Sequence, residues 1–547
     1  MCEPCDRPAK QPKLAAPFFS RGAGTYQVTT PLPAEARAKL LARLRADGLC
    51  GVLLLRGGVS SCRNDSDHEL LFRQESYFAY LFGVKEPDCW ATIELPSGRA
   101  TLFVPRLPAE YAIWMGEVKS AEAFRDAYRL EAAAYTDQLQ ARVAEALRAC
   151  AEEAARPAAV YTLSGTNSDS GADLASVLPT AEGVPPGATV EADKACHVYE
   201  VLADCRTTKS EGELDLLRYV SWITSMAHVE VMRECKPGLM EYQLEAKFLH
   251  HIYYYGGCRL AAYTCICACG PNSAVLHYGH AGAPNDQKLE AGSMALLDMG
   301  AEYFCYCSDI TCSYPVSGTF TPDQAMVYGA VLEAQKQILA AMRPGVSWAA
   351  MHRLMWRVVV SALRDYGLLV GELEEMLQAG IGAVFIPCGL GHLIGLDTHD
   401  VGGYLSHTPP RIEEAGISKL RTARVLEKGQ VLTVEPGCYF IDALLKPAVA
   451  SAATSKFFNL AMLERFTRFG GVRLEDVVAV TESGVENYTL CPRTIGEVES
   501  VMAGGAWPPA KDEAPWLFRQ WGTLDATTGA VVTDQKLMAT GKDTKTV

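Results

Sequence analysis

Apolar positions in the first two hundred residues switch repeatedly between helical and strand spacing. The stretch "PAEARAKLLARLRADG" keeps its leucines three and four apart and stops at Gly48, which predicts a helix. "CGVLLLRGG" is a short apolar run bounded by glycines, the mark of a buried strand, and "CWATIELPSGRATLFVP" predicts two strands around Pro96-Ser97-Gly98. "EEAARPAAVYTLSG" gives a helix and then a strand. Alternation of this kind predicts an α/β domain with a mixed sheet.

The pattern changes at "KSEGELDLLRYVSWITSMAHVEVMRECKPG". Ser210 and Glu213 have capping-box spacing, and helical periodicity runs on to Pro237-Gly238. "PDQAMVYGAVLEAQKQILAAMRPG" repeats the design and stops at Pro344-Gly345, and each stop leads into a further helix and then toward strands. A repeat of about a hundred residues exceeds solenoid periods and reads as a duplicated half-domain. The expected organisation is a leader (1–31), an N-terminal α/β domain (32–205), an α+β domain (206–500) and an irregular tail (501–547) that docks Trp516 and Trp521.

Composition narrows the function. A net charge of -14 disfavours a nucleic-acid partner, because a phosphate backbone calls for a basic face. No apolar run reaches membrane-span length, and the N-terminus has no apolar signal core, so a cytoplasmic protein is expected. Nineteen cysteines over this length are not a small-domain disulfide framework. Cys265, Cys267 and Cys269, and Cys305 and Cys307, alternate as strand residues do, while Cys2 and Cys5 lack a second zinc half-site. Buried thiols are the expected reading.

Four acids occur among side chains that read as core strand. Asp298 and Asp309 flank a segment with a predicted turn at Gly300-Ala301-Glu302, so a hairpin would bring them together. Glu435 ends the strand of "GQVLTVEPGCYF", and Glu475 lies in "GGVRLEDVVAV" with Arg473 on the same face. Each alone reads as a surface acid or strand cap. Packed together without cations they would repel and take up protons, whereas two divalent ions would neutralise all four. "IPCGLGHLIGLDTHDVGG" supplies imidazole: His392 among glycines that allow close approach, and His399 on the same loop. Its G-x-G-x-x-x-G spacing is a poor dinucleotide loop.

In order, D-M-G at Asp298, S-D-I-T at Asp309, G-x-G-H at His392, V-E-P-G at Glu435 and G-V-R-L-E-D at Glu475 resemble the metallopeptidases of the pita-bread (creatinase/methionine aminopeptidase) fold. "LFRQESYFAYLFGVKEP", "YTCICACGPNSAVLHYGHAGAPND" and "LRTARVLEKGQVLTVEPG" are similar to the Xaa-Pro dipeptidase branch, over about residues 40 to 503. The resemblance implies an aminopeptidase P-like N-terminal domain and a pita-bread catalytic domain. It implies two divalent ions per subunit, with Asp298 on one, His392 and Glu435 on the other, and Asp309 and Glu475 bridging. A carboxylate-rich shell favours manganese, with cobalt or zinc as alternatives.

The resemblance also implies hydrolysis of Xaa-Pro dipeptides. Glu435 would carry a proton, His277 and His399 would contact substrate, and Arg421 would bind its free carboxylate. Arg473 would orient a metal carboxylate. A homodimer is implied, with Trp114 near the neighbouring site. Without the resemblance, His277 reads as a strand-end residue and Arg421 as a surface arginine. The family loop H-G-L-G-H begins here with Cys388, which removes one imidazole. Alternatives are an aminopeptidase P-like enzyme acting on longer peptides and a non-catalytic binding protein of the same fold.

Overall fold

The computed structural model describes residues 18–29, 31–279 and 285–534. Cys2 and Cys5 lie outside them. The N-terminal half contains β1 (Gly51–Arg56), β2 (Trp90–Glu94), β3 (Ala100–Val104), β4 (Ala132–Tyr135) and β5 (Ala159–Tyr161) in the order β4-β3-β2-β1-β5. β1 runs antiparallel to β2 and parallel to β5, so the sheet is mixed as expected. Its unbroken apolar run follows from burial on both faces. Leu53 and Leu55 join the main core, while Leu54 joins Trp90, Phe103 and Val143 on the other side.

Two helical hairpins frame the second half. Helices Glu211–Glu234 and Glu241–Gly256 form the first, and Pro322–Ala341 and Trp348–Asp365 the second. Both open on a capping box, Ser210 with Glu213 and Thr321 with Gln324, which satisfies N–H groups the helix itself cannot.

Strands β6 (Leu260–Ala261), β7 (Ile266–Cys269), β8 (Met294–Asp298), β9 (Ala301–Tyr303), β10 (Tyr306–Cys307) and β11 (Thr311–Pro315) follow the first hairpin. After the second come β12 (Val431–Val434), β13 (Gly437–Tyr439), β14 (Gly471–Arg473), β15 (Asp476–Val480) and β16 (Val485–Asn487). They form sheets β11-β8-β7, β10-β9-β6, β12-β15-β16 and β13-β14.

The turn predicted at residues 300–302 is not there. Ala301 and Glu302 belong to β9, and the chain reverses at Phe304 and Cys305, whose φ angles are +49° and +68°. Such a turn normally signals itself by Asn or Gly, and this one has neither. Glu302 instead turns inward onto Arg73 Nε at 2.9 Å. Gly300 is needed for close approach, since a Cβ there would fall 1.9 Å from the Ser308 carbonyl oxygen.

Beyond helix Ile495–Met502 the chain is mostly irregular, and it ends its described course on the ribbon β17 (Gly522–Leu524) and β18 (Val531–Thr533). Trp521 is 1% exposed, with its indole N–H donating to Asp512 at 2.7 Å and Arg519 4.6 Å above its ring. Trp516 is partly buried against the core. The described cysteines are all free thiols, and Cys265, Cys267, Cys269 and Cys307 are buried.

Candidate metal centre

Two strand kinks and one strand pair build the site. β12–β13 and β15–β14 run antiparallel, with Val434 opposite Asp476 and Gly437 opposite Arg473. Glu435-Pro436 and Leu474-Glu475 therefore face each other where both strands bend from one sheet into the next, tied by Leu474 N–H to the Pro436 carbonyl at 3.2 Å. Glu475 thus stands at a break between strands rather than inside one. Asp298 closes β8, opposite Thr311 and Ile266, and Asp309 lies just ahead of β11.

The fifth side chain arrives on an extended loop alongside β12. Thr433 N–H donates to the His392 carbonyl at 2.9 Å and Glu435 N–H to that of Leu390 at 2.8 Å. A Cβ at Gly391 would fall 2.1 Å from the Thr433 carbonyl oxygen, so only glycine allows this approach. His392 Nδ1 meets the Leu393 carbonyl at 3.0 Å, which turns Nε2 toward Asp309 (3.3 Å) and Glu435 (3.6 Å).

All five side chains line one cavity of about 810 Å³. Donor atoms of Asp309, His392 and Glu475 lie within 4.8 Å of one another. Asp298 is joined to them by the Tyr263 hydroxyl, 2.5 Å from both Asp298 and Asp309. Arg473 donates to Asp298 through Nη2, to Thr311 at 3.1 Å and to Tyr439 at 3.0 Å, and its Nε is 3.8 Å from Glu475. Thr311 donates to Glu475 at 2.6 Å and Thr433 to Glu435 at 3.1 Å.

Four carboxylates thus face one guanidinium and one imidazole. Burial raises Glu475 well above the usual carboxylate range, and the neighbouring Asp309, Glu435 and Asp298 add to the effect. Burial likewise raises Asp309, beside Asp298, and Glu435. Burial opposes charge on His392, but its hydrogen bond to Asp309 and the Glu435 charge prevail and raise it. Carboxylates buried and crowded together in this way are a fit for divalent cations, which would meet the excess charge and the open lone pairs together. The donor set, oxygen-rich with one imidazole, suits such ions.

Of the other expected residues, His277, His399, Arg421 and Cys388 line the same cavity. The His399 ring meets His392 edge-on at 4.5 Å, and burial, with His392, Arg421 and His277 nearby, lowers it to about 2. It is neutral near pH 7, able to donate from one nitrogen and accept at the other. Burial pushes the Cys388 thiol up to about 11. Sequence reasoning did not single out Tyr263, Thr311, Thr433 or Tyr439. Thr433 had a signal, because it lies two residues before Glu435, the acid it bonds.

Residues 34–154 match the Aminopeptidase P, N-terminal domain, and residues 215–482 match Metallopeptidase family M24. The Xaa-Pro dipeptidase of Homo sapiens is 46% identical over 493 residues, covering 89% of this chain and 96% of that protein. A probable Xaa-Pro aminopeptidase of Phaeosphaeria nodorum is 33% identical over 476 residues, covering 86% and 97%. The structure of an aminopeptidase from Pseudomonas aeruginosa matches with a TM-score of 0.68 at 30% identity, covering 86% of this chain and 97% of its own. With this likeness and this donor cluster, the chain belongs to metallopeptidase family M24, a hydrolase with an aminopeptidase P-type N-terminal domain and a pita-bread catalytic domain.

Proposed function

We propose that the protein hydrolyses Xaa-Pro dipeptides and releases free proline, with two divalent ions, manganese foremost, held by Asp298, Asp309, His392, Glu435 and Glu475. The observation that carries this reading is that Arg421 shares one cavity wall with those five donors and with His277 and His399. The 46% identity to a curated Xaa-Pro dipeptidase supports it. When bound, paired ions supply Lewis acidity, lowering the pKa of water to roughly 7 and polarising a carbonyl.

The chain's own groups do the rest. A bond preceding proline has a tertiary nitrogen with no hydrogen, so that nitrogen must gain a proton to depart. Glu435, at the cavity wall, takes a proton from the attacking water at a carboxylate oxygen and delivers it to that nitrogen. His399 and His277 hydrogen-bond the substrate carbonyl and orient it. Arg421 pairs with the terminal carboxylate, which sets the length limit, since a longer peptide presents an amide there. Arg473 holds Asp298 and Glu475 in place. Exposed Ile113, Trp114 and Met115 at 75%, 81% and 67% support a homodimer in which this face is covered. No helix among the described residues is long and apolar enough to cross a membrane.

The test is to strip metal with a chelator, restore manganese and compare Gly-Pro with Gly-Pro-Ala. Gly-Pro turnover should return and exceed that of the tripeptide. Faster tripeptide turnover would favour an aminopeptidase P-like enzyme, and silence with manganese, cobalt and zinc would favour a binding protein.

A further inference from the structure

The wall that carries Arg421 is braced from the other domain. After β5, residues 164–173 leave the N-terminal sheet and close on themselves. Asn167 Oδ1 accepts from the N–H groups of Asp169 and Ser170 at 2.9 Å each, Asn167 N–H donates to the Ala172 carbonyl at 3.0 Å, and Gly171 takes φ +72°. The loop thus offers Asp169 on a fixed backbone. One carboxylate oxygen of Asp169 is 3.1 Å from Arg421 Nη1, and the other is 3.3 Å from Arg411 Nη2. The Asp169 side chain is only 18% exposed.

Arg411 is itself anchored. It lies 4.2 Å over the Tyr404 ring, and its Nη1 donates to the carbonyls of Leu420 (2.8 Å) and Ser418 (3.2 Å). Tyr404 donates to the same Leu420 carbonyl at 2.7 Å, the residue just before Arg421. Backbone and guanidinium of Arg421 are therefore both held, and the Asp169 contact is made at Nη1. Asp169 meets the Arg421 guanidinium as an ion pair whose nearest approach is at Nη1, so the Nε–Nη2 edge is not the one it approaches most closely. That edge is the pair of parallel N–H donors that a carboxylate matches.

We propose that Asp169 is a specificity-determining positioning residue: it fixes Arg421 at Nη1 so that the Nε–Nη2 edge of the fork is presented to the free carboxylate of a dipeptide. The inference rests on the dipeptidase reading above. The N-terminal domain then contributes to substrate choice, through a residue that touches neither the metal ligands nor the scissile bond.

Gly-Pro and glycyl-prolinamide, which lacks the carboxylate, are assayed with wild type, Asp169→Asn, Asp169→Glu and Arg421→Ala, all manganese-loaded. Asp169→Asn should raise KM for Gly-Pro about tenfold, the scale of one misdirected charge-assisted hydrogen bond, with kcat within about threefold. Its KM for the amide should move less than about twofold. Asp169→Glu should give a smaller shift of the same kind, and it decides alone if Asp169→Asn does not fold. An equal rise for both substrates would mean a merely structural role and would overturn the proposal. So would no change, or a fall in KM, as expected if Asp169 only quenched the Arg421 charge. If wild type itself does not prefer Gly-Pro over the amide, the dipeptidase reading fails and this inference with it. If Arg421→Ala loses the preference while Asp169→Asn keeps it, only this inference fails.

Discussion

The Tyr263 hydroxyl lies 2.5 Å from Asp309 Oδ1, and the same oxygen lies 2.5 Å from Asp298 Oδ1. A phenol has one proton to give, so it cannot satisfy both carboxylates alone. Either a carboxyl in the pair keeps a proton or cations take up the remaining charge. Burial and the neighbouring Asp298 charge raise the proton affinity of Asp309, against the hydrogen bond from Tyr263, which lowers it. Tyr263 clips together two acids that come from different strands.

Tyr263→Phe should therefore weaken manganese affinity about tenfold or more, the usual cost of removing a group that orients a ligand. Calorimetric titration of chelator-treated protein measures this. Unchanged affinity would show that the β8–β11 pairing alone sets the two acids.

His352 gives the protein a built-in sensitivity to acid. Both ring nitrogens are buried without a hydrogen-bond partner, its ring stands 4.5 Å from Trp356, and burial, with Arg353 next to it, lowers its pKa to about 3. A folded-state pKa below the unfolded value means the unfolded chain binds the proton more readily. Stability from this group is full above about 6.5 and falls as pH drops toward 3, by about 1.4 kcal/mol per unit. His352→Leu should flatten the decline of Tm between pH 6 and pH 4 relative to wild type. Parallel curves would contradict it.

The segment after residue 502 is part of the fold. Trp521 is enclosed, and Gly522 accepts from the Trp222 indole at 3.0 Å while Thr528 accepts from Gln27 N–H at 2.7 Å. Trp521→Ala should cost about 3–5 kcal/mol in denaturant unfolding. A loss below about 1 kcal/mol would mean the segment is only loosely applied.

What the chain disclosed in advance follows from how local each signal is. His392, Glu435 and Glu475 sit in short contexts, G-x-G-H, E-P-G and R-L-E-D, whose glycines and proline mark the kinks that aim them. The β1 strand was legible because burial on both faces leaves only apolar residues. The reversal at Phe304-Cys305 was not, since its left-handed residues are an aromatic and a thiol. Tyr263 reads as any strand-edge aromatic, and Asp169 as a loop acid. Their partners lie 46 and 252 residues away, Asp309 and Arg421, and such pairings have no local signature.

The proposed centre is a pair of cations held by five residues from distant strands and one loop. Manganese bound per chain, measured by equilibrium dialysis and elemental analysis, tests it most directly on wild type, His392→Ala and Asp309→Asn. Two ions per wild-type chain are expected and at least one fewer in each variant, with thermal unfolding showing both variants folded. A wild-type chain that retains no ion at saturating manganese, or variants that retain as many as wild type, would contradict it.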